Sequence, residues 1–364
     1  MPKDRKPEWA PQNAGREYAS RVLEARSAGS RVAKGRNATA TNVKMPSVAA
    51  LAEGVKAGDR TLLAKAITLI ESNAQKHFEP GQELIRVLLP EAGKSIRIGV
   101  TGVPGAGKST FIESFGLWLL ERGHKVAVLA IDPSSSLSKG SILGDKTRME
   151  QLSRQPGSFI RPSPTSGALG GVARKTRESV IICEAAGYDV ILIETVGVGQ
   201  SEVTVRSMVD FFLLMQIAGA GDELQGIKKG IMELADLVVV NKADGDNVQA
   251  AELASRELNN ALHYLRHSTP GWTTKAITGS ALQKTGLAEI WAAIEKFTEQ
   301  GKESGVFDQR RQNQVSQWFE SLLTEAVLNR FFNSPDIKEK LPTIREQVEK
   351  GVLPAVLAVQ QLIK

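Results

Sequence analysis

Ile96-Arg97-Ile98-Gly99-Val100-Thr101-Gly102-Val103-Pro104-Gly105-Ala106-Gly107-Lys108-Ser109-Thr110 is the stretch on which the fold turns. An apolar strand from Ile96 to Val100 runs into Gly102 to Ser109, which matches G-x-x-x-x-G-K-[ST] in full. Helix-forming residues follow from Lys108 to Arg122 and stop at Gly123. Strand, glycine-rich turn and helix N-terminus in that order make a phosphate cradle. The glycines let backbone N–H groups curl around a β-phosphate, and the helix end adds partial positive charge. Lys108 can then bridge β- and γ-phosphates while the Ser109 hydroxyl suits Mg²⁺. Chance alone produces such a match in about one chain in a hundred of this size. The expected nucleotide contacts are Gly102, Val103, Pro104, Gly105, Ala106, Gly107, Lys108, Ser109 and Thr110.

Outward from this stretch, apolar runs recur at Val126 to Ile131, Val190 to Ile193, Phe211 to Ile217, Leu237 to Val240 and Ala276 to Thr278. Helical segments such as Val172 to Ala186 separate most of them. Near-continuous apolar strands alternating with helices predict an α/β fold, a three-layer α/β/α P-loop NTPase with a mostly parallel sheet. Its sites should lie at the C-terminal strand ends. Asn241-Lys242-Ala243-Asp244 follows one such strand. In this N-K-x-D pattern Asp244 can accept from guanine N1–H and the exocyclic amine, Asn241 braces the loop, and the Lys242 stem lies over the base. Adenine would leave that carboxylate unpaired, so the pattern favours GTP over ATP. Ser280-Ala281-Leu282, after the last strand, is similar to the short loop that meets guanine O6 through backbone N–H. Asp132 and Glu194 end two strands and project toward the phosphate loop, where Mg²⁺ and an attacking water belong. Glu194-Thr195-Val196-Gly197 reads as an E-x-x-G switch, with the Gly197 N–H able to sense a γ-phosphate. Asp145, in the turn Gly144-Asp145-Lys146, reads by position alone as a surface residue.

The flanks are helical. Asp59 caps a helix from Arg60 to Ser72, and another from Gln82 to Leu89 stops at Pro90. Beyond Thr298, a stripe of Val315, Trp318, Phe319, Leu322, Ala326 and Val327 ends before Pro335, and helices follow around Thr343 to Lys350 and Pro354 to Ile363. The stripe packs either on its own domain or on another subunit. The expected division is a basic, disordered tail (1–45), an N-terminal helical region (46–94), the GTPase domain (95–298) and a C-terminal helical region (299–364). The tail holds ten of the 46 basic and four of the 40 acidic residues, leaving 36 of each in the remainder. The pI near 9.3 therefore reports the tail and no nucleic-acid groove. A single Cys183 excludes an intrachain disulfide framework and suits a reducing compartment. The longest apolar run, Phe211 to Ala220, is too short for the ~20 residues of a membrane span. A cytoplasmic location follows, or the mitochondrial matrix should the Arg-rich tail act as a presequence, a reading its four acids oppose.

Four longer stretches carry a family resemblance: Asp132 to Ser135, Gly140 to Met149, Glu194 to Glu202, and Asp222 to Gly230. Together they closely resemble the MeaB/ArgK family of P-loop GTPases over about residues 50 to 364. The resemblance implies a G-protein chaperone of adenosylcobalamin-dependent acyl-CoA mutases, chiefly methylmalonyl-CoA mutase, that gates cofactor loading and protects the mutase from inactivation. It implies that Lys108 and Ser109 bind phosphate and Mg²⁺, and that Asp132, Asp145 and Glu194 form the Mg²⁺ and hydrolysis environment. Asp145 is thereby promoted from surface residue to candidate. Three switch segments are also implied, after Asp132, after Glu194 and from Gly219 to Lys229, as is a homodimer through the C-terminal helices. No cobalamin site on this chain is expected, and a separate adenosyltransferase is a further conceivable partner. An older family label, a kinase for arginine or ornithine transport, would need an acceptor pocket that no motif identifies. A nickel-delivery GTPase would need soft ligands near the G site. His263 and His267 stand four apart with no third such ligand nearby, an ordinary surface pair.

Overall fold

The computed structural model describes residues 45–132, 149–164, 169–195, 202–219, 229–266 and 268–363. Within them lies a seven-stranded sheet of β1 (Ile96–Gly102), β2 (Val126–Asp132), β3 (Ser158–Pro164), β4 (Val190–Thr195), β5 (Phe211–Ile217), β6 (Leu237–Asn241) and β7 (Lys275–Thr278). Its order is β3-β2-β4-β1-β5-β6-β7, and every pairing is parallel. The strands are apolar on both faces because both faces are covered. Ile98, Val100, Leu192 and Leu213 pack under α4 (Lys108–Leu120) and α10 (Leu287–Glu303). On the other face, Leu129, Ile191, Ile193 and Phe212 lie in one cluster with α1 (Val48–Lys56), α2 (Arg60–Glu71), α3 (Gln75–Leu88) and α6 (Leu169–Ala185). Leu214, Val238 and Ala276 pack under α9 (Val248–His263). The shorter helices among the described residues are α5 (Glu150–Ser153), α7 (Glu202–Arg206) and α8 (Lys229–Leu234). The three-layer α/β/α expectation holds.

The sequence pattern predicts six strands, and the seventh, β3, has a physical reason for escaping it. It reads Ser158-Phe159-Ile160-Arg161-Pro162-Ser163-Pro164, with two prolines and a charge that disqualify a central strand. At the sheet edge it needs only the ladder to β2, so the missing N–H groups are tolerated. The α3 helix starts at Gln75, earlier than the expected Gln82, and carries Pro80 in its second turn.

The C-terminal arm comprises α11 (Val306–Asn333), α12 (Pro335–Glu349) and α13 (Ala355–Ile363). Only Phe307 and Gln314 of α11 are buried, both in its first third. Val315, Phe319 and Val327 are 59%, 64% and 57% exposed, so the apolar stripe is not covered by the GTPase sheet. The base of the arm is held by buried charge at the N-terminal edge of the sheet. Arg311 forms a two-pronged pair with Asp210, Nε to Oδ1 and Nη2 to Oδ2, both at 2.7 Å. Its remaining donors reach the carbonyls of Gly93 and Ser95.

Candidate functional site

The strand order sets the site before any side chain does. The connection leaving β1 runs to one side, toward β2, and that leaving β5 runs to the other, toward β6. Adjacent strands whose connections diverge open a crevice at their C-terminal ends, and the loop between β1 and α4 lies there. Gly102 ends β1 at φ 151°, and a Cβ on it would come within 2.2 Å of the Met215 carbonyl oxygen on β5. Gly107 caps α4 at φ 85°, and a Cβ there would meet the Asn241 Nδ2 at 2.7 Å. Both positions require glycine, by backbone conformation and by space. Val103 and Ala106 turn inward, while Pro104, Gly105 and Thr110 are exposed.

Lys108 folds back over its own loop, donating to the carbonyls of Gly102 at 2.7 Å and Val103 at 3.3 Å. Burial lowers its pKa below the usual lysine value, and the charges of Glu194 and Glu202 oppose that shift. The Ser109 hydroxyl donates to Glu194 Oε1 at 2.9 Å. Glu194 is buried in β4 beside Val100 of β1. Asp132 is the last residue of β2, whose Ala130 is paired with Glu194, so its backbone stands at the same sheet edge. Asp145 lies outside the described residues, as do Gly197 and the segment from Ala220 to Lys228.

The second half of the site joins β6, β7 and the phosphate loop. Asn241 Nδ2 donates to the Ala106 carbonyl at 2.7 Å, and its Oδ1 accepts the Ala281 N–H at 3.1 Å. One side chain thus ties the N-K-x-D loop to both the phosphate loop and the Ser280-Ala281-Leu282 loop. Lys242 is exposed at φ 61°, a left-handed conformation that turns the chain sharply after β6. The Ser280 hydroxyl donates to Asp244 Oδ2, and Leu282 is 78% exposed.

Two participants escape sequence reasoning. Ser114, one turn into α4, donates to the Ala281 carbonyl at 2.7 Å and so fixes the far loop from the phosphate helix. Glu202 is 2% exposed and acts electrostatically on Lys108 from α7. A lone glutamate in a five-residue helix carries no pattern of its own, and only its place at the end of a longer family stretch marks it. Among the described residues, no group of three or more His, Cys, Asp or Glu gathers as a metal cluster. His263 ends α9 with its ring edge-on to Tyr264, and His267 lies outside the described residues.

The family description that matches residues 63–336 is that of the methylmalonyl Co-A mutase-associated GTPase MeaB. The chain belongs to this family of GTPases. A probable GTPase of Mycobacterium tuberculosis is 51% identical over 87% of the chain and 95% of its own length. The GTPase ArgK of Escherichia coli is 50% identical, covering 80% of this chain and 89% of its own. The mitochondrial methylmalonic aciduria type A homolog of Mus musculus is 48% identical over 85% and 77%. Among solved structures, one described as a LAO/AO transport system kinase superposes with a TM-score of 0.72 at 41% identity, covering 87% of this chain and 96% of that one. The fold, the family and the GTPase activity are therefore established together. No helix among the described residues is long and apolar enough to cross a membrane.

Proposed function

We propose that this GTPase is a chaperone of an adenosylcobalamin-dependent acyl-CoA mutase of the methylmalonyl-CoA mutase type, gating cofactor loading and protecting the mutase from inactivation. The match to a family described as mutase-associated, over three quarters of the chain, carries the reading. The mouse relative, named for methylmalonic aciduria, points the same way. The transport-kinase label on the solved relative has less behind it. Two clefts among the described residues, of about 530 and 400 Å³, lie at the N-terminal edge of the sheet around Pro270 and Arg310, away from the phosphate loop.

In this reading Lys108 leaves the carbonyls of Gly102 and Val103 and moves onto the β- and γ-phosphates, stabilising charge as GTP becomes GDP and phosphate. Ser109 and Glu194 present a hydroxyl and a carboxylate within hydrogen-bond distance of each other, hard oxygen donors of the kind Mg²⁺ prefers. That ion commonly takes one or two carboxylates with phosphate oxygens and water. Ser109 and Glu194 would hold it, with Asp132 and Asp145 as the further candidates, and it would supply charge neutralisation at the transferred phosphate. Glu194 then gives up the Ser109 hydroxyl proton contact seen here. Asp244 reads the guanine edge, Asn241 keeps the three loops in register, the Lys242 stem lies over the base and the Ser280-Ala281-Leu282 loop meets guanine O6 through backbone N–H. Asp244→Asn should lower selectivity for GTP and raise affinity for xanthosine nucleotides; competition binding with both nucleotides measures it, and intact GTP selectivity would count against the guanine role. No arginine finger is assigned, so turnover by the chain alone should be slow and raised by a partner.

The uncovered apolar faces of α11 to α13 support a homodimer built through the arm, since Phe319, Val352, Val356 and Ile363 are each more than half exposed. The mutase reading is tested by pull-down of acyl-CoA mutases on the full chain loaded with GDP or with a non-hydrolysable GTP analogue. Capture that depends on the nucleotide is the expected result. Capture in neither state would overturn the mutase reading while leaving the GTPase intact.

A further inference from the structure

The short helix α7 lies between β1 and the base of the C-terminal arm. It packs directly on β1, the strand that delivers the phosphate loop. A Cβ at Gly99 would stand 2.9 Å from Val205 Cγ1 and 3.2 Å from Val209 Cγ2, so only glycine lets α7 and the turn after it lie this close. At the first residue of α7, Glu202 is buried and its charge acts on Lys108. At its last residue, about 6 Å along the axis, Arg206 pairs with the buried Asp236 at 3.1 Å.

Asp236 also faces Arg310 of α11 at 3.7 Å. From the same helix, Gln314 donates to the carbonyls of Arg206 at 3.3 Å and Val209 at 2.8 Å. Arg177 of α6 closes the joint, donating to the Ser207 carbonyl at 2.6 Å with its guanidinium over the Trp318 ring. A run of contacts therefore leads from β1, which carries the phosphate loop, through α7 to the arm.

The joint is not fully satisfied. Arg177 Nε and Trp318 Nε1 are buried with no hydrogen-bond partner among the described residues, whereas Arg206 Nη1 is met by the Asp236 carboxylate. Burial and the neighbouring Arg97 charge push the Arg177 pKa down to about 10. Native interiors rarely leave donors unmet, so two at one joint mark a packing with an alternative. We propose that α7 is a lever coupling the nucleotide state at the phosphate loop to the docking of the C-terminal arm, with Glu202 as the positioning residue at one end and Arg206 at the other. The lever rests on the GTPase site and not on the identity of any mutase. Coupling of this kind requires an element with two arrangements that both sites bias, and the unmet donors of Arg177 and Trp318 beside α7 are where the second arrangement gains bonds.

Hydrogen–deuterium exchange on the full chain tests it, comparing GDP with a non-hydrolysable GTP analogue at saturation. The amides of Val306 to Gln317 should exchange at rates differing by about fivefold or more between the two states, the lower range of ordinary coupling. In Gln314→Ala, which lacks any part in nucleotide binding, the difference should vanish although both nucleotides still bind. Glu202→Gln should abolish it from the other end, and Glu202→Asp should restore part of it. A merely structural Gln314 would raise exchange equally in both states and keep the ratio, which would overturn the lever. Equal exchange in the two states of the unmodified chain would overturn it too. A chain that binds neither nucleotide would overturn the phosphate-site assignment itself.

Discussion

Lys108→Ala lowers GTP turnover by about 10²–10³-fold, the cost of removing one preorganised donor from a developing charge. The side chain stands at the mouth of the phosphate loop, already oriented by the Gly102 and Val103 carbonyls. Its replacement removes the one lysine of the motif that can follow negative charge from the β- to the γ-phosphate. Burial has already weakened the hold of Lys108 on its proton, with Glu194 and Glu202 opposing the shift. A phosphate group arriving beside it supplies further charge of the same sign as those carboxylates, so the ammonium form persists when nucleotide binds. Lys108→Arg should not rescue turnover, because a planar guanidinium cannot occupy the space of a compact ammonium against two carbonyls. Phosphate release under saturating GTP, with GDP affinity measured alongside, checks the prediction. Unchanged turnover would remove the phosphate-loop assignment.

Arg311→Ala destabilises the fold by about 3–5 kcal/mol, the usual cost of leaving a buried charge without its partner. Asp210 is 1% exposed, and Arg311 meets both of its oxygens. The Arg97 N–H donates to the same carboxylate at 2.8 Å, which cannot replace a lost cation. Two backbone carbonyls, of Gly93 and Ser95, lose a donor in the same substitution. Arg311→Lys should recover only part of the loss, since one ammonium cannot serve four acceptors in the geometry of a guanidinium. The exposed pair Arg86–Glu83 supplies the contrast, and Arg86→Ala should leave the urea midpoint unmoved. If both variants melt alike in urea, Asp210 is satisfied by other groups and the arm is not anchored as described.

How much of this could be read from the chain depends on how locally each feature is encoded. The phosphate loop was legible because its chemistry is contiguous. Gly102 and Gly107 answer to backbone conformation, and Lys108 and Ser109 follow them in the next helical turn. The N-K-x-D loop was legible for the same reason. Edge strand β3 was not, since its prolines are tolerated only by a strand with a free side, and freedom of a side is a property of the finished sheet. Glu202, Ser114 and the carboxylates Asp210 and Asp236 were equally hidden. Each becomes informative only when a distant partner reaches it.

The sequence by itself determined a parallel α/β fold and the G-x-x-x-x-G-K-S and N-K-x-D loops at its strand ends, because strand periodicity, glycine positions and short motifs act over a few neighbouring residues. The tertiary structure alone decided which of those pieces meet. Glu194 reaches Ser109 across 85 positions, and Asn241 reaches Ala106 across 135, because strand order puts β4 beside β1 and brings β6 to the same edge. It also decided that Val315, Phe319 and Val327 stay exposed on a long helix whose first turns alone are anchored. Burial is a property of the whole packed chain, and no local pattern states which apolar face finds a partner.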